Sequence, residues 1–295
     1  MKKALIAAAV MCGLCAMCSG GLVVLGLAAD DPAEPGGGGG AARSTPAGCS
    51  DTFEGWHQDL TQGGIVLTKG GVTAELPWAF TFTDAMRQGR SEINVFNLVA
   101  GSRYRDAKLQ GGSYGDQRLA GSAIETATGR TVYVAFTTGA SSGVANPVFV
   151  VGPDDSVLRA YPTSSELDAV RALNRFSLGC AELEGRWKSG SSTAAERYAA
   201  GTGQYLGVTA IAGASDLQLG SGSYERESRV YLHGVFTKKN DSGDWSHDDW
   251  SVTLEPSGAD AVRYNASFIA VQNGFLLRLQ NQKFAGEVED FTRVE

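Results

Sequence analysis

From residue 63 onward, short apolar runs alternate with clusters of Gly, Pro, Asn, Asp and Ser, a pattern that predicts strands and turns rather than long helices. "GGIVLTKGGVTAEL" (63–76) places two β-branched runs around a Lys-Gly-Gly turn, and "SEINVFNLVAG" (91–101) reads as a third strand. "SAIETATGRTVYVAF" (122–136) and "NPVFVVGPDDSVLRAYP" (146–162) each set a turn cluster between apolar runs, as hairpins do. One helix is expected: Thr163 and Glu166 form a Thr-x-x-Glu capping box, and Leu167, Val170 and Leu173 follow at helical spacing, predicting a helix over 164–174. Residues 49–180 therefore read as an α+β domain.

Beyond residue 180 the pattern is β almost throughout. "SYERESRVYLHGVF" (223–236), "DDWSVTLEP" (248–256), "AVRYNASFIAV" (261–271) and "GFLLRLQN" (274–281) alternate, separated by "KKNDSGD", "PSGAD" and "QNG". Short strands at this spacing predict an antiparallel sandwich or barrel, and a barrel removes exposed edges. Period two puts Trp250, Val252 and Leu254 on one face of their strand and Phe275, Leu277 and Leu279 on one face of another, both facing the interior. The fold class expected is mainly β: an α+β domain, then a small antiparallel β-barrel over 183–295, both after an N-terminal membrane segment.

That segment changes how the rest is read. Lys2 and Lys3 precede an uncharged stretch, Ala4 to Ala29, closed by Asp30 and Asp31. As a helix it would reach roughly 39 Å, more than the ~30 Å hydrocarbon core requires. An uncleaved single-pass anchor is the leading reading. A signal peptide cleaved near Gly26-Leu27-Ala28 is the second, and a lipid anchor is the third, although Cys12, Cys15 and Cys18 lack the Leu-x-small pattern expected before a lipidated cysteine. Lysines before the span and acids after it place the folded part outside the cytoplasm of a bacterial cell, or in the periplasm or medium after cleavage. Residues 30–48, rich in Pro, Gly and Ala, read as a flexible linker.

In an oxidising compartment the two remaining cysteines, Cys49 and Cys180, read as a disulfide that ties together the entry and exit of the first domain. Formal charge is −2 over residues 51–180 (11 basic, 13 acidic) and −5 over residues 181–295 (11 basic, 16 acidic). Nucleic acid and an anionic membrane surface are thus poor partners by net charge.

Gly185-Arg186-Trp187, a Gly-Ser-Tyr strand start at 222–224 and a late strand carrying Arg278 resemble short bacterial lipocalin-like domains over residues 183–295. The resemblance implies a barrel plugged at one end by Trp187, with Arg278 packed across the indole. It also implies a small apolar ligand as one candidate partner.

Tests for chemistry return little. "GASSG" (139–143) matches a nucleophile elbow with Ser141 at its centre, but it leads into an apolar strand-like run rather than a helix, so a hairpin loop is expected. His57, His233 and His247 lack zinc-ligand spacing. The acidic run "NDSGDWSHDD" (240–249) lacks the register of a calcium loop and reads as a solvated hairpin loop. The sequon at Asn265 sits inside a strand. No cofactor and no metal is expected. The leading functional reading is a membrane-tethered extracytoplasmic binding module, with an envelope structural or interaction subunit second and an enzyme third.

Overall fold

The computed structural model describes residues 49–81, 92–111, 117–139, 144–198, 205–232, 235–272, 274–284 and 286–294. The membrane segment, the linker and Ser141 lie outside them, and among the described residues no helix is long and apolar enough to cross a membrane. The protein is mainly β, and Cα packing divides it into two compact units. One holds the described residues up to Phe176 together with Ile269–Phe275, and the other holds Ser177–Phe268 and Leu276–Glu295. The break falls three residues before Cys180, slightly earlier than the sequence suggested. Residues 269–275 count with the first unit, where Asn174 Nδ2 donates to Ala270 O and Ala270 N–H donates back to Asn174 Oδ1, both at 2.9 Å.

The first unit is built on strands β1 (Ser50–Phe53), β2 (Trp56–Thr61), β3 (Gly64–Lys69), β4 (Val72–Pro77), β5 (Phe80–Thr81), β6 (Tyr104–Gly111), β7 (Arg118–Glu125), β8 (Thr131–Thr137), β9 (Val144–Ala145) and β10 (Val148–Gly152). Eight of them form a sheet in the order β1-β2-β3-β4-β10-β8-β7-β6, with β5 and β9 paired separately. Helices α1 (Glu92–Ala100), α2 (Ser156–Ala160) and α3 (Ser164–Arg171) complete the unit. The central strands β8 and β10 are buried on both faces. Phe136 and Phe149 are direct partners that join a core with Phe96 of α1, while their neighbours Ala135 and Val150 pair on the opposite face.

Two sequence expectations fail here. Residues 92–100 are helical rather than extended, because Phe96 and Ala100, four apart, bury together with Val95 on one face, leaving Leu98 exposed. Gly101 closes that helix through its N–H on Asn97 O at 3.0 Å. The predicted hairpin at 146–162 is instead strand then helix: Asp154 Oδ1 accepts the Ser156 N–H at 2.9 Å and starts α2. The capping box is present, with Ser165 N–H on the Thr163 hydroxyl and Thr163 N–H on Glu166 at 2.9 Å. It opens α3, the one helix the sequence predicted.

The second unit is a closed barrel of eight antiparallel strands: β11 (Gly185–Tyr198), β12 (Tyr205–Leu219), β13 (Ser223–Leu232), β14 (Val235–Asp248), β15 (Ser251–Pro256), β16 (Val262–Val271), β17 (Gly274–Asn281) and β18 (Val288–Val294). The strands differ in reach. β18 pairs with β11 only along Arg186–Lys188, and β15 pairs with β14 only along Gly243–Asp248. β11 to β14 therefore continue past the short strands as a four-stranded wall. The supposed loop at 238–244 lies inside β14. Gly243 serves a close approach there rather than a turn, since a Cβ on it would stand 2.0 Å from Glu255 O.

Candidate functional site

The barrel's lower end is closed by Trp187. Inward positions alternate with outward ones, and Trp187 is 1% exposed, its Nε1 donating to Leu183 O at 2.8 Å. Its ring lies 5.9 Å from that of Phe268, and the Arg293 guanidinium stands 5.8 Å from the indole centroid. Arg293 is fixed in turn by Glu182 Oε2 at 2.6 Å and Glu184 O at 2.8 Å. This arrangement explains the glycine of Gly-x-Trp. Gly185 adopts φ +135°, and a Cβ there would sit 3.2 Å from Arg293 Nε and Nη2.

The cation over the tryptophan is thus Arg293, not Arg278. Arg278 alternates with Leu277 and Leu279, so it points away from the interior those two fill, and it forks onto its cross-strand partner Asp290 with two 2.6 Å bonds. Arg293 shares the inward parity of Phe291, a cue that period two made readable in the sequence.

Above the plug the lumen is filled by Leu217, Leu219, Val252, Leu254, Leu277 and Phe291, each 2% exposed or less. Phe275, Leu277 and Leu279 face inward as expected, and so do Val252 and Leu254. Trp250 precedes β15 and is only half-buried, so it departs from that triplet.

At the upper end the apolar filling gives way to a polar layer centred on Arg226, which sequence reading missed. Arg226 Nη1 donates to Tyr264 Oη at 2.9 Å, and Nη2 pairs with Glu289, whose other oxygen accepts from Ser189 at 3.4 Å. Ser215 and Ser228 bond one another at 3.3 Å, and Tyr224 Oη donates to Asp241 at 2.9 Å. Burial pulls the Arg226 pKa down, but Glu289 and Tyr264 more than offset it, so the guanidinium is held more firmly protonated than usual. Burial, with the bond to Asp241, pushes the Tyr224 phenol well above its ordinary value. Nε of Arg226 is buried without a partner. Arg226 and Ser228 share the inner face of β13 with Tyr224 and Val230, but in the sequence nothing sets Arg226 apart from its outward neighbours Glu225, Glu227 and Arg229.

The outer face of the wall carries a separate ion-pair ladder. Arg186 and Lys188 pair with Asp216, while Arg229 and Lys238 pair with Glu227. The Arg186 hydrogen bond holds Asp216 below the usual carboxylate range, and hydrogen bonds from Lys238 and Arg229 do the same for Glu227. A shallow depression of about 200 Å³ lies over these paired groups.

In the first unit, a cleft of about 390 Å³ is lined by Trp56, Val72, Val157 and Tyr161. Lys69 spans it, 5.8 Å above the Trp56 ring with its ammonium on Glu54 O at 2.9 Å.

Cys49 and Cys180 form the expected disulfide. The acidic run at 240–249 is not a loop, and strand alternation scatters its carboxylates. Asp241 binds Tyr224, and Asp248 binds Trp250 N–H, Ser251 and Arg263. His57 meets Ser50 and Asp59, His247 stacks on Trp245, and His233 lies outside the described residues. Among the described residues no group of three or more His, Cys, Asp or Glu is placed to hold a metal ion. Asn265 is exposed on β16 and accepts from Gln282 at 2.9 Å. Comparisons with protein-family models, with curated proteins and with solved structures each return no match.

Proposed function

We propose that this chain is an interaction subunit of the bacterial cell envelope, carried outside the cytoplasm by its N-terminal segment. In this reading its barrel is lipocalin-like in build but works through its outer surface and mouth rather than by enclosing a small apolar ligand. The observation that carries the reading is the filling of the lumen: Trp187 and Phe268 occupy the lower end, Leu277 and Phe291 are among the side chains that fill the space above, and the Arg226–Glu289–Tyr264 layer lies across the upper end. A ligand-holding calyx needs an open apolar cavity of about 300 Å³ or more. The Cys49–Cys180 bond supports an oxidising location, and the Gly185–Trp187–Arg293 constellation supports the likeness to lipocalin-like barrels.

Native mass spectrometry of the protein purified from its membrane fraction tests this directly. The expected mass is that of the polypeptide with its disulfide. Retention of a stoichiometric small molecule, released on unfolding, would overturn the reading in favour of a ligand carrier.

A further inference from the structure

We propose that the open edge of β14, from Phe236 to Asn240, is a docking site for an extended acidic segment of a partner protein, which adds to the barrel as one more strand. The proposal rests on the reading above for there being a protein partner, and it names where that partner binds and by what chemistry.

β14 pairs with β15 only from Gly243 to Asp248, so among the described residues no strand flanks Val235–Ser242 on that side. Their other side is paired with β13 throughout, from Leu232 opposite Val235 to Glu225 opposite Ser242. The ladder below fixes which backbone groups face the open side. Ser257 N–H crosses to Ser242 O at 2.9 Å on the β15 side, whereas Trp245 N–H turns to Gly222 O at 3.1 Å on the β13 side. Alternation then aims the N–H and C=O of Phe236, Lys238 and Asn240 at the open edge, where no strand among the described residues meets them. Such an edge is a template for a further strand, and one laid there would continue the line of β15.

The side chains along the edge select the strand. Lys238 and Lys239 are adjacent, so they stand on the outer and inner faces in turn. Lys238 reaches Glu227, while Lys239 is exposed and has no ion-pair partner among the described residues. Lysines on an edge deter an uncharged strand and favour one with carboxylates at the two facing positions. Phe236, 60% exposed, is covered when that strand carries an apolar residue two positions further on. A second copy fits poorly. Two β14 edges laid antiparallel for the longest ladder centre on Lys238 and set that lysine against itself. β14 is already ordered through β13, so only the incoming segment loses conformational freedom.

The test uses the full-length protein in detergent and a synthetic end-blocked peptide, Thr-Thr-Glu-Glu-Thr-Val-Thr, whose glutamates face Lys239 and Lys238 and whose valine faces Phe236. Binding is read from the anisotropy of the dye-labelled peptide and from amide hydrogen exchange of the protein. Saturating peptide should slow exchange at Phe236, Lys238 and Asn240 at least about tenfold. Affinity should fall at least about tenfold when lysine replaces both glutamates. It should fall about tenfold in Asn240→Pro, which removes an N–H from the open edge and spares the bonds to β13. N-methylating the peptide amides that meet the edge keeps its charge and should abolish binding, and this arm needs no variant to fold. Equal binding by the N-methylated peptide would reduce the contact to charge and overturn the proposal. Unchanged exchange at the three amides would do the same, as would cross-links between β14 strands of two copies without peptide, which assign the edge to self-association. A small molecule retained in the mass measurement above would overturn the earlier reading without altering any of these outcomes, so the two fail separately.

Discussion

At one end of the barrel an indole is 1% exposed between a phenyl ring and a guanidinium; at the other, Val235 and Phe236 stand about two-thirds bare on β14, which has outrun β15. The same four strands, β11 to β14, run through both environments. What changes is lateral closure. Where β15 and β18 complete the ring, each inward side chain meets others across the lumen. Past Gly243 β14 has no pairing with β15, and Val230, Val235 and Lys239 on the inner face there are exposed. Between the two lies the Arg226 layer, where polar groups satisfy one another at the level at which the ring opens. A barrel that was a calyx would invert this order, with its apolar cavity in the middle and its polar groups at the rim.

The largest effect that could break the comparison is at the plug. Trp187→Ala removes the side chain that fills the closed end and orphans Leu183 O and the face of Arg293. A loss of about 3–5 kcal/mol in denaturant unfolding is expected. A change within experimental scatter would mean that the lower end is not the stable pole of the barrel.

Next is the polar layer. Arg226→Leu strands Glu289 and the Tyr264 hydroxyl at the mouth, and should cost about 2–3 kcal/mol. Adding Glu289→Leu should recover a large part of that loss, because removing both members of a buried pair is far milder than removing one. If the double variant is as unstable as the single one, the layer contributes packing rather than paired charge.

Gly185→Ala comes third, at about 1–2 kcal/mol, since alanine resists φ +135° and its Cβ would press on Arg293. Arg293→Met in the same background separates the two causes. Relief of the penalty assigns it to the guanidinium, and no relief assigns it to the backbone.

These three positions also show how far the sequence carried the argument. Gly-x-Trp was legible because a tight backbone and a large apolar ring leave a local signature, and the plug followed from it. Arg278 was chosen for its late strand, yet only its parity with Leu277 and Leu279 tells that it faces outward, and that needs the register. The capping box at Thr163 and Glu166 was fully local and was found. The helix at 92–100 was missed because its dense apolar run, Ile93, Val95, Phe96, Leu98 and Val99, fits period two nearly as well as 3.6. The disulfide came from arithmetic and compartment. The Arg226 layer left no trace, because its members come from four strands far apart in sequence, and each alone is an ordinary polar residue. β14 was cut in two by reading Asp-Ser-Gly-Asp as a turn, when its glycine answers a neighbouring carbonyl.

The smallest effect expected is at the wall's end, and its smallness is the point. Val235→Ser/Phe236→Ser alters two side chains that are about 60% exposed and pack on little, so the unfolding free energy should move by no more than about 0.5 kcal/mol. The same pair of changes in a ring-closed stretch, Leu277→Ser for example at 0% exposed, would remove a buried side chain and leave an unsatisfied hydroxyl, a loss of several kcal/mol. Equal melting curves for parent and Val235→Ser/Phe236→Ser would show that the chain keeps apolar groups where they add nothing to its own stability. A marked destabilisation would place that end inside the cooperative core and remove the distinction between the barrel's two poles.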